Sequence, residues 1–245
     1  GYGNRGKFTS VHDSLFVRTF FFEQQKQQYA IITFDLIMLH TDLKNAIIKK
    51  VQENNQFKNI KIYFSATHSH SSIGGWAKGT LAKFTLGGYD QKIVDLLVEK
   101  TIKTIEKASQ KTELVQFTYS KTAVPDYVKN RIVDTAYADT YLRTIFFKTP
   151  TKTATLTTFS AHPTNLHFRS TEVSADYPAY FIQEMEKTVD FSMFCAGGIG
   201  SHCVSKDLEQ KHQNIQEYGK ELAKCVSVSY THLRPTRRTP ISYAV

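Results

Sequence analysis

Residues 29 to 67 read strand, helix, strand, and this succession restricts the fold more than any other feature of the chain. YAIITFDLIML (29–39) is rich in β-branched and apolar residues, the mark of a strand. Thr41 then precedes DLKNAIIKKVQENN, where Leu43, Ile47, Ile48 and Val51 recur at helical spacing; the threonine is the expected N-cap. NIKIYFSAT (59–67) is a second apolar strand. Such a unit is a crossover onto one sheet, and the loops at the C-terminal ends of its strands gather ligand-binding residues. His68 stands at that position.

The pattern extends in both directions. LFVRTFFF (15–22) and the 29–39 run flank the polar EQQKQQ turn and predict a hairpin. A long amphipathic helix is expected from Tyr89 to about Ser109, then a strand over 113–123, and a second hairpin from 141–148 and 153–161 around Thr149 and Pro150. A helix over about 176–188, a strand over 191–195, the turn AGGIGSH and a helix over about 206–225 follow. The expected class is α/β, a mixed β-sheet with flanking helices, whose strands and hairpins deliver loops to one site. Residues 1–225 form the expected domain. Residues 226–245 (VSVSYTHLRPTRRTPISYAV) lack acids and periodicity, and SYTHLR resembles translated sequencing-adapter DNA; they are expected to be a non-native or disordered basic tail.

At 245 residues with 41% hydrophobic content, the chain can bury a substantial core. No stretch approaches the roughly 18 uncharged apolar residues of a membrane span, so the chain is expected to be soluble as given. The net charge of +9 raises the question of nucleic acid. Arg234, Arg237 and Arg238 lie in the last twenty residues, leaving +6 over residues 1–225 from 28 basic and 22 acidic residues. The lysines at 44, 49, 50, 100, 103 and 107 are spread along helix faces, the pattern of a solvated surface rather than a nucleic-acid footprint. Three cysteines, Cys195, Cys203 and Cys225, are too few for a disulfide framework, though one bridge is allowed.

Three histidines end apolar strands: His68 and His70 in SATHSHSSIGG (65–75), and His162 in FSAHPT (159–164). An H-x-H pair at a strand end can send both rings to one side, as zinc sites require, although loop hydrogen bonding gives the same pair without a metal. Gly74 and Gly75 allow the loop a close approach to a ligand. His212, in a charged helix, and His232, in the tail, read as surface residues.

Four blocks together resemble the neutral/alkaline non-lysosomal ceramidases, and in particular the shorter bacterial proteins carrying that catalytic domain. These are VHDSLFVRTFFFE (11–23), SATHSHSSIGG, VKNRIVDTAYADTYL (128–142) and FSAHPTNLHFRSTEVSADYPAYF (159–181). The resemblance spans about residues 1–225. It implies zinc as cofactor, with His68 and His162 as ligands. It places His70 and Arg131 near the amide and head group of the substrate, as catalytic and substrate-binding residues, with Gly74 and Gly75 beside them. The partner it implies is an N-acyl lipid or another amide, with membrane-surface contact and no nucleic acid, in a periplasmic or secreted parent protein. Zinc lowers the pKa of water to about 7, which suits attack on an amide, and a cationic donor such as Arg131 suits the oxyanion.

The chain departs from the family pattern in three places. The family completes its zinc site with a glutamate and a tyrosine from farther downstream, so the chain is expected to be a C-terminally truncated fragment. GSHCVS (200–205) stands for the family's GDVSPN loop, with Ser201 for the aspartate and Cys203 for the serine. Ile73 stands where the family places a proline region. Two rival hydrolase patterns fail: a metallo-β-lactamase needs Asp-His where Ser72 and Ile73 stand, and a TIM-barrel amidohydrolase needs its pair on the first of eight repeated units. A catalytically inactive, lipid-binding or zinc-stabilised module of the same fold is the alternative to an enzyme.

Overall fold

The computed structural model describes residues 7–110, 112–166, 169–205, 215–230 and 237–244. The expected mixed α/β architecture is found. Over the described residues, twelve strands run in chain order as β1 (Ser10–Val11), β2 (Val17–Gln24), β3 (Gln27–Phe34), β4 (Lys61–Ala66), β5 (Glu113–Ala123) and β6 (Val128–Asn130), then β7 (Tyr141–Lys148), β8 (Thr153–Phe159), β9 (Glu172–Val173), β10 (Phe191–Ala196), β11 (His202–Val204) and β12 (Arg237–Ala244). Among the described residues, five α-helices accompany them: α1 (Thr41–Gln52), α2 (Thr80–Leu86), α3 (Gln91–Ser109), α4 (Tyr177–Met185) and α5 (Ile215–Tyr230).

Eight strands form the main sheet in the order β10-β8-β7-β5-β12-β2-β3-β4. Its two outermost pairs, β3 with β4 and β8 with β10, are parallel, whereas every pairing between them is antiparallel. The sheet folds back so that β10 packs against β3 and β4, and the Thr33 hydroxyl donates to the Phe194 carbonyl across this seam at 3.2 Å. The C-terminal ends of both parallel pairs are thereby brought together.

Period-2 alternation sorts the side chains into separate layers. Phe20 and Phe22 of β2 join Ile145, Phe147, Leu156 and Met193 inside the fold of the sheet. Phe21, between them, faces outward to α1 and α3 with Ile32, Phe34, Leu43 and Ile47. On the other half, Leu142, Phe146, Phe159 and Phe194 meet Phe181 of α4 and Leu222 of α5. Gly219 of α5 lies so close to α4 that a Cβ there would stand 2.5 Å from the Tyr177 carbonyl oxygen.

The structure corrects several expectations. β3 stops at Phe34 rather than Leu39, because Asp35 turns its buried carboxylate onto the Phe16 amide at 2.8 Å while its own amide donates to the Phe16 carbonyl. The N-cap of α1 is His40, whose Nδ1 accepts from the Asp42 amide, not Thr41. α2 was not read from the sequence. The last helix continues through Cys225 to Tyr230, and Arg237–Ala244 forms a strand between β2 and β5. Main-chain hydrogen bonding is indifferent to side-chain pattern, so an aperiodic segment can fill a gap between two strand edges. Residues 206–214 of the expected helix, with His212, and His232 lie outside the described residues. Cys195, Cys203 and Cys225 form no disulfide with one another, and among the described residues no helix is long and apolar enough to cross a membrane.

Candidate metal centre

His68 follows β4 and His162 follows β8, each leaving the sheet from one strand of a parallel pair. The neighbouring strand of each pair supplies the ring's partner. After β3 the chain presents the Ile37 carbonyl, which takes the His68 Nδ1 proton at 2.6 Å; after β10 it presents the Ile199 carbonyl, 3.1 Å from His162 Nδ1. A carbonyl on Nδ1 fixes the tautomer that leaves Nε2 with its lone pair for a metal. His68 reaches this orientation in left-handed backbone, at φ 64°, a conformation costly for a non-glycine residue and held here by its surroundings.

His70 completes the group. Its Nε2 lies 3.3 Å from His68 Nε2 and 2.7 Å from His162 Nε2. The ligand-capable atoms of all three rings fall within 4.8 Å of one another, and among the described residues no carboxylate or thiol joins them. Two nitrogens on one tetrahedral zinc stand roughly 3.3 Å apart, given bond lengths of about 2.0–2.1 Å. The His68–His70 spacing matches that value, whereas 2.7 Å is the length of a hydrogen bond between His70 and His162. Burial holds His68 down to about 4, with the neighbouring His162 and Arg131 adding to the effect. Burial likewise lowers His162, and Arg131 adds to it. Neutral imidazoles are the form that binds a metal, so His68, His70 and His162 could hold a metal ion.

The remaining predicted residues fall around this group. Arg131 follows β6, and its Nη1 lies 3.2 Å from His162 Nδ1. Its amide donates to the Ser201 carbonyl at 2.9 Å, continuing the β6–β11 ladder in which His202 faces Asn130 and Cys203 faces Lys129. Ser201 and Cys203 are thus neighbours of Arg131 through the backbone, and the Ser201 hydroxyl lies 3.2 Å from His202 Nδ1. Gly74 and Gly75 make a packing contact of their own. A Cβ on Gly74 would stand 1.9 Å from the Leu86 carbonyl oxygen, and Gly75, at φ 97°, donates its amide to that oxygen and accepts from the Asp90 amide. Both are needed where the loop packs on the α2–α3 connection.

Sequence reading missed the supports. The Ile37 and Ile199 carbonyls carry no signal, since every residue has one. Asp176 lay within the 159–181 block without a role; buried at φ 60°, it caps α4 and accepts from the Leu166 amide at 2.9 Å. The Ser174 hydroxyl donates to Asp13, and the Ser69 hydroxyl donates to the Ser174 carbonyl at 2.7 Å, so this segment ties the histidine loop to the start of the chain. His202 accepts the Asp139 amide at 2.8 Å, and Asp139 pairs bidentately with Arg143.

A family model for the neutral/alkaline non-lysosomal ceramidases, N-terminal, matches residues 1–198. The chain belongs to this family. Neutral ceramidase of Drosophila melanogaster is 26% identical over 124 residues, which is 49% of this chain and 18% of the fly protein. The crystal structure of neutral ceramidase from Pseudomonas aeruginosa superposes with a TM-score of 0.79 at 16% identity, covering 91% of this chain and 39% of that one. A ceramidase complexed with C2 gives 0.77 at 17% identity, covering 89% and 39%. At such identities the likeness is one of fold, and this ceramidase-family chain spans about two fifths of the solved ceramidases.

Proposed function

We propose that this chain carries part of the active site of a zinc-dependent hydrolase of N-acyl amide bonds, acting like a ceramidase to release a fatty acid and an amine. The observation that carries the reading is the convergence of three imidazole Nε2 atoms, two of them on rings oriented by backbone carbonyls. Membership of the ceramidase family supports the substrate class. His68 and His162 would hold the ion, and further ligands would come from outside the described residues. When bound, zinc supplies Lewis acidity and makes hydroxide available near neutral pH.

The chain's own residues do the rest. Arg131, exposed to solvent with its guanidinium beside His162, receives the substrate carbonyl and the negative charge that develops on its oxygen. His70 positions the amide through the Nε2 that faces the other two rings. The segments leading into and out of the site carry exposed apolar side chains: Met38 after β3, Leu81 and Phe84 on α2, and Ile132 and Tyr137 after Arg131. These support delivery of an acyl substrate from a membrane surface, in keeping with a periplasmic or secreted parent protein.

The test pairs metal content with fatty-acid release from a short-chain fluorescent ceramide and from a simple N-acyl amine, using the native protein that contains this chain. Metal-dependent release from either substrate is expected. Turnover confined to a phosphate ester or lactone would overturn the amidase assignment, and stoichiometric zinc with no turnover would identify a binding module.

A further inference from the structure

The end of the sheet opposite the histidines holds a second cavity. His68 and His162 follow the C-terminal ends of β4 and β8, whereas this cavity, of about 500 Å³, lies where β3 and β4 begin. Lys61, the first residue of β4, stands five residues before Ala66, about 17 Å along an extended strand. Period-2 alternation builds the walls, since Phe22, Ile31, Phe117, Ile145 and Phe147 all point into the fold of the sheet. The Phe22 and Phe147 rings stand 5.5 Å apart and both pack on Phe20, which gives the floor a fixed shape. The volume lies within the roughly 300–1,000 Å³ of small-molecule sites. Apolar walls offer water no partners, and such cavities take apolar ligands instead.

The rim differs from the walls. Among the described residues, Lys61 alone brings a charge to the cavity. Its ammonium lies 5.7 Å from the ring centroid of Tyr29, its cross-strand neighbour, and no carboxylate of the described residues pairs with it. Gln24 adds an amide at the same rim, and Tyr63, 67% exposed on the outermost strand, leaves the mouth accessible. We propose that this cavity binds one free long-chain carboxylate, its tail against the phenylalanines and its head on Lys61 Nζ. One cation at the mouth of an apolar cavity selects a monoanionic amphiphile, because a cationic head is repelled and an uncharged head gains nothing from the ammonium. The site stands apart from the metal centre and does not rest on the reaction proposed there. If that reaction is amide hydrolysis, the acid it releases is of the class bound here.

Displacement of the fluorescent fatty acid cis-parinarate by octanoate, laurate and lauryl alcohol tests this on the native protein that contains this chain, with unfolding curves as a check of fold. Laurate should bind better than octanoate, by up to about fourfold per added methylene, which corresponds to about 0.8 kcal/mol each. Lys61→Met keeps the stem and removes the charge; it should weaken laurate about fivefold, the upper range for an exposed ion pair, and leave lauryl alcohol unchanged. Ile145→Trp should fill the cavity and abolish binding of both. Tyr63→Asp, at an exposed position that leaves the core intact, should weaken laurate more than the alcohol. No binding to wild type, or laurate binding unchanged in folded Lys61→Met and Tyr63→Asp proteins, would overturn the proposal. Loss of laurate in His68→Ala with Lys61→Met unaffected would overturn it by placing the chain at the metal centre. A wild-type dimer that Tyr63→Asp dissociates would overturn it by giving the mouth to a second copy.

Discussion

The two parallel strand pairs at the edges of the sheet build the same device in two different ways. In each, a histidine follows one strand and a backbone carbonyl follows its neighbour: His68 with Ile37, His162 with Ile199. The first is committed, with a 2.6 Å bond, a left-handed backbone and a glycine loop wedged against Leu86. The second is contested, its Nδ1 shared between Ile199 and Arg131 and its Nε2 drawn by His70. A rigid ring beside an adjustable one lets a site hold its geometry and still respond to what enters it.

The largest expected effect would break the comparison outright. His68→Ala and His162→Ala should each weaken zinc binding by more than about 100-fold, beyond the cost of losing a supporting hydrogen bond. Calorimetric titration decides it. If only one of the two matters, the pairs are not equivalent and the ion sits on His70 with a single partner.

Rigidity on the His68 side is tested next. Gly74→Ala puts a Cβ 1.9 Å from the Leu86 carbonyl oxygen, a backbone atom that cannot swing aside. A loss of about 1 to 3 kcal/mol is expected from such overpacking, read by urea unfolding, together with weaker zinc binding as the loop shifts. On the His162 side the counterpart is Gly197, where a Cβ would stand 2.8 Å from the Ser160 hydroxyl oxygen and 3.1 Å from the Phe159 carbonyl oxygen.

The strand ends at both histidines were legible because apolar alternation marks strands and small polar residues mark their ends. What joins them was not. The parallel pairing of β8 with β10 joins residues 37 positions apart, as Ala154 with Phe191, and the fold of the sheet that closes β10 on β3 and β4 depends on packing between residues more than 100 positions apart. No local pattern carries that. The place of the strand over 237–244 was not legible for a related reason, since it follows from the edges of β2 and β5 and not from its own residues. Gly74 and Gly75 were legible as special backbone positions, but the sequence could not say whether a ligand or Leu86 would fill the space beside them.

Each half also buries an aspartate, and here the two sides should behave alike. Burial raises Asp35 to about 6 and Asp176 to about 6, against the hydrogen bonds from Phe16 and from Leu166 and Tyr177. Below about pH 4 both folded and unfolded chains are protonated and neither group affects stability. Between about 4 and 6 the unfolded chain ionises first, so stability falls as pH rises, and the penalty stays constant above about 6. Asp35→Asn and Asp176→Asn should each remove that decline, worth about 1 to 3 kcal/mol at neutral pH. Unfolding free energies of wild type and variants from pH 4 to 7 give the comparison. A gap that narrows as pH rises would mean that the carboxylates are held charged.

The smallest effect isolates the support beneath His162. The Tyr177 hydroxyl, fully buried, donates to the Ala161 carbonyl at 2.6 Å, one residue before the histidine. Tyr177→Phe removes the donor and leaves a buried carbonyl without it, at a cost of about 1 to 2 kcal/mol. Zinc affinity should change little, because the Ile199 carbonyl rather than Ala161 sets the ring orientation. A fall in affinity of more than about tenfold with unchanged stability would reverse that assignment, since tenfold corresponds to about 1.4 kcal/mol acting on the ligand and not on the fold. The contested histidine would then owe its place to the strand end beneath it, as His68 does, and the difference between the two pairs would lie in Arg131 alone.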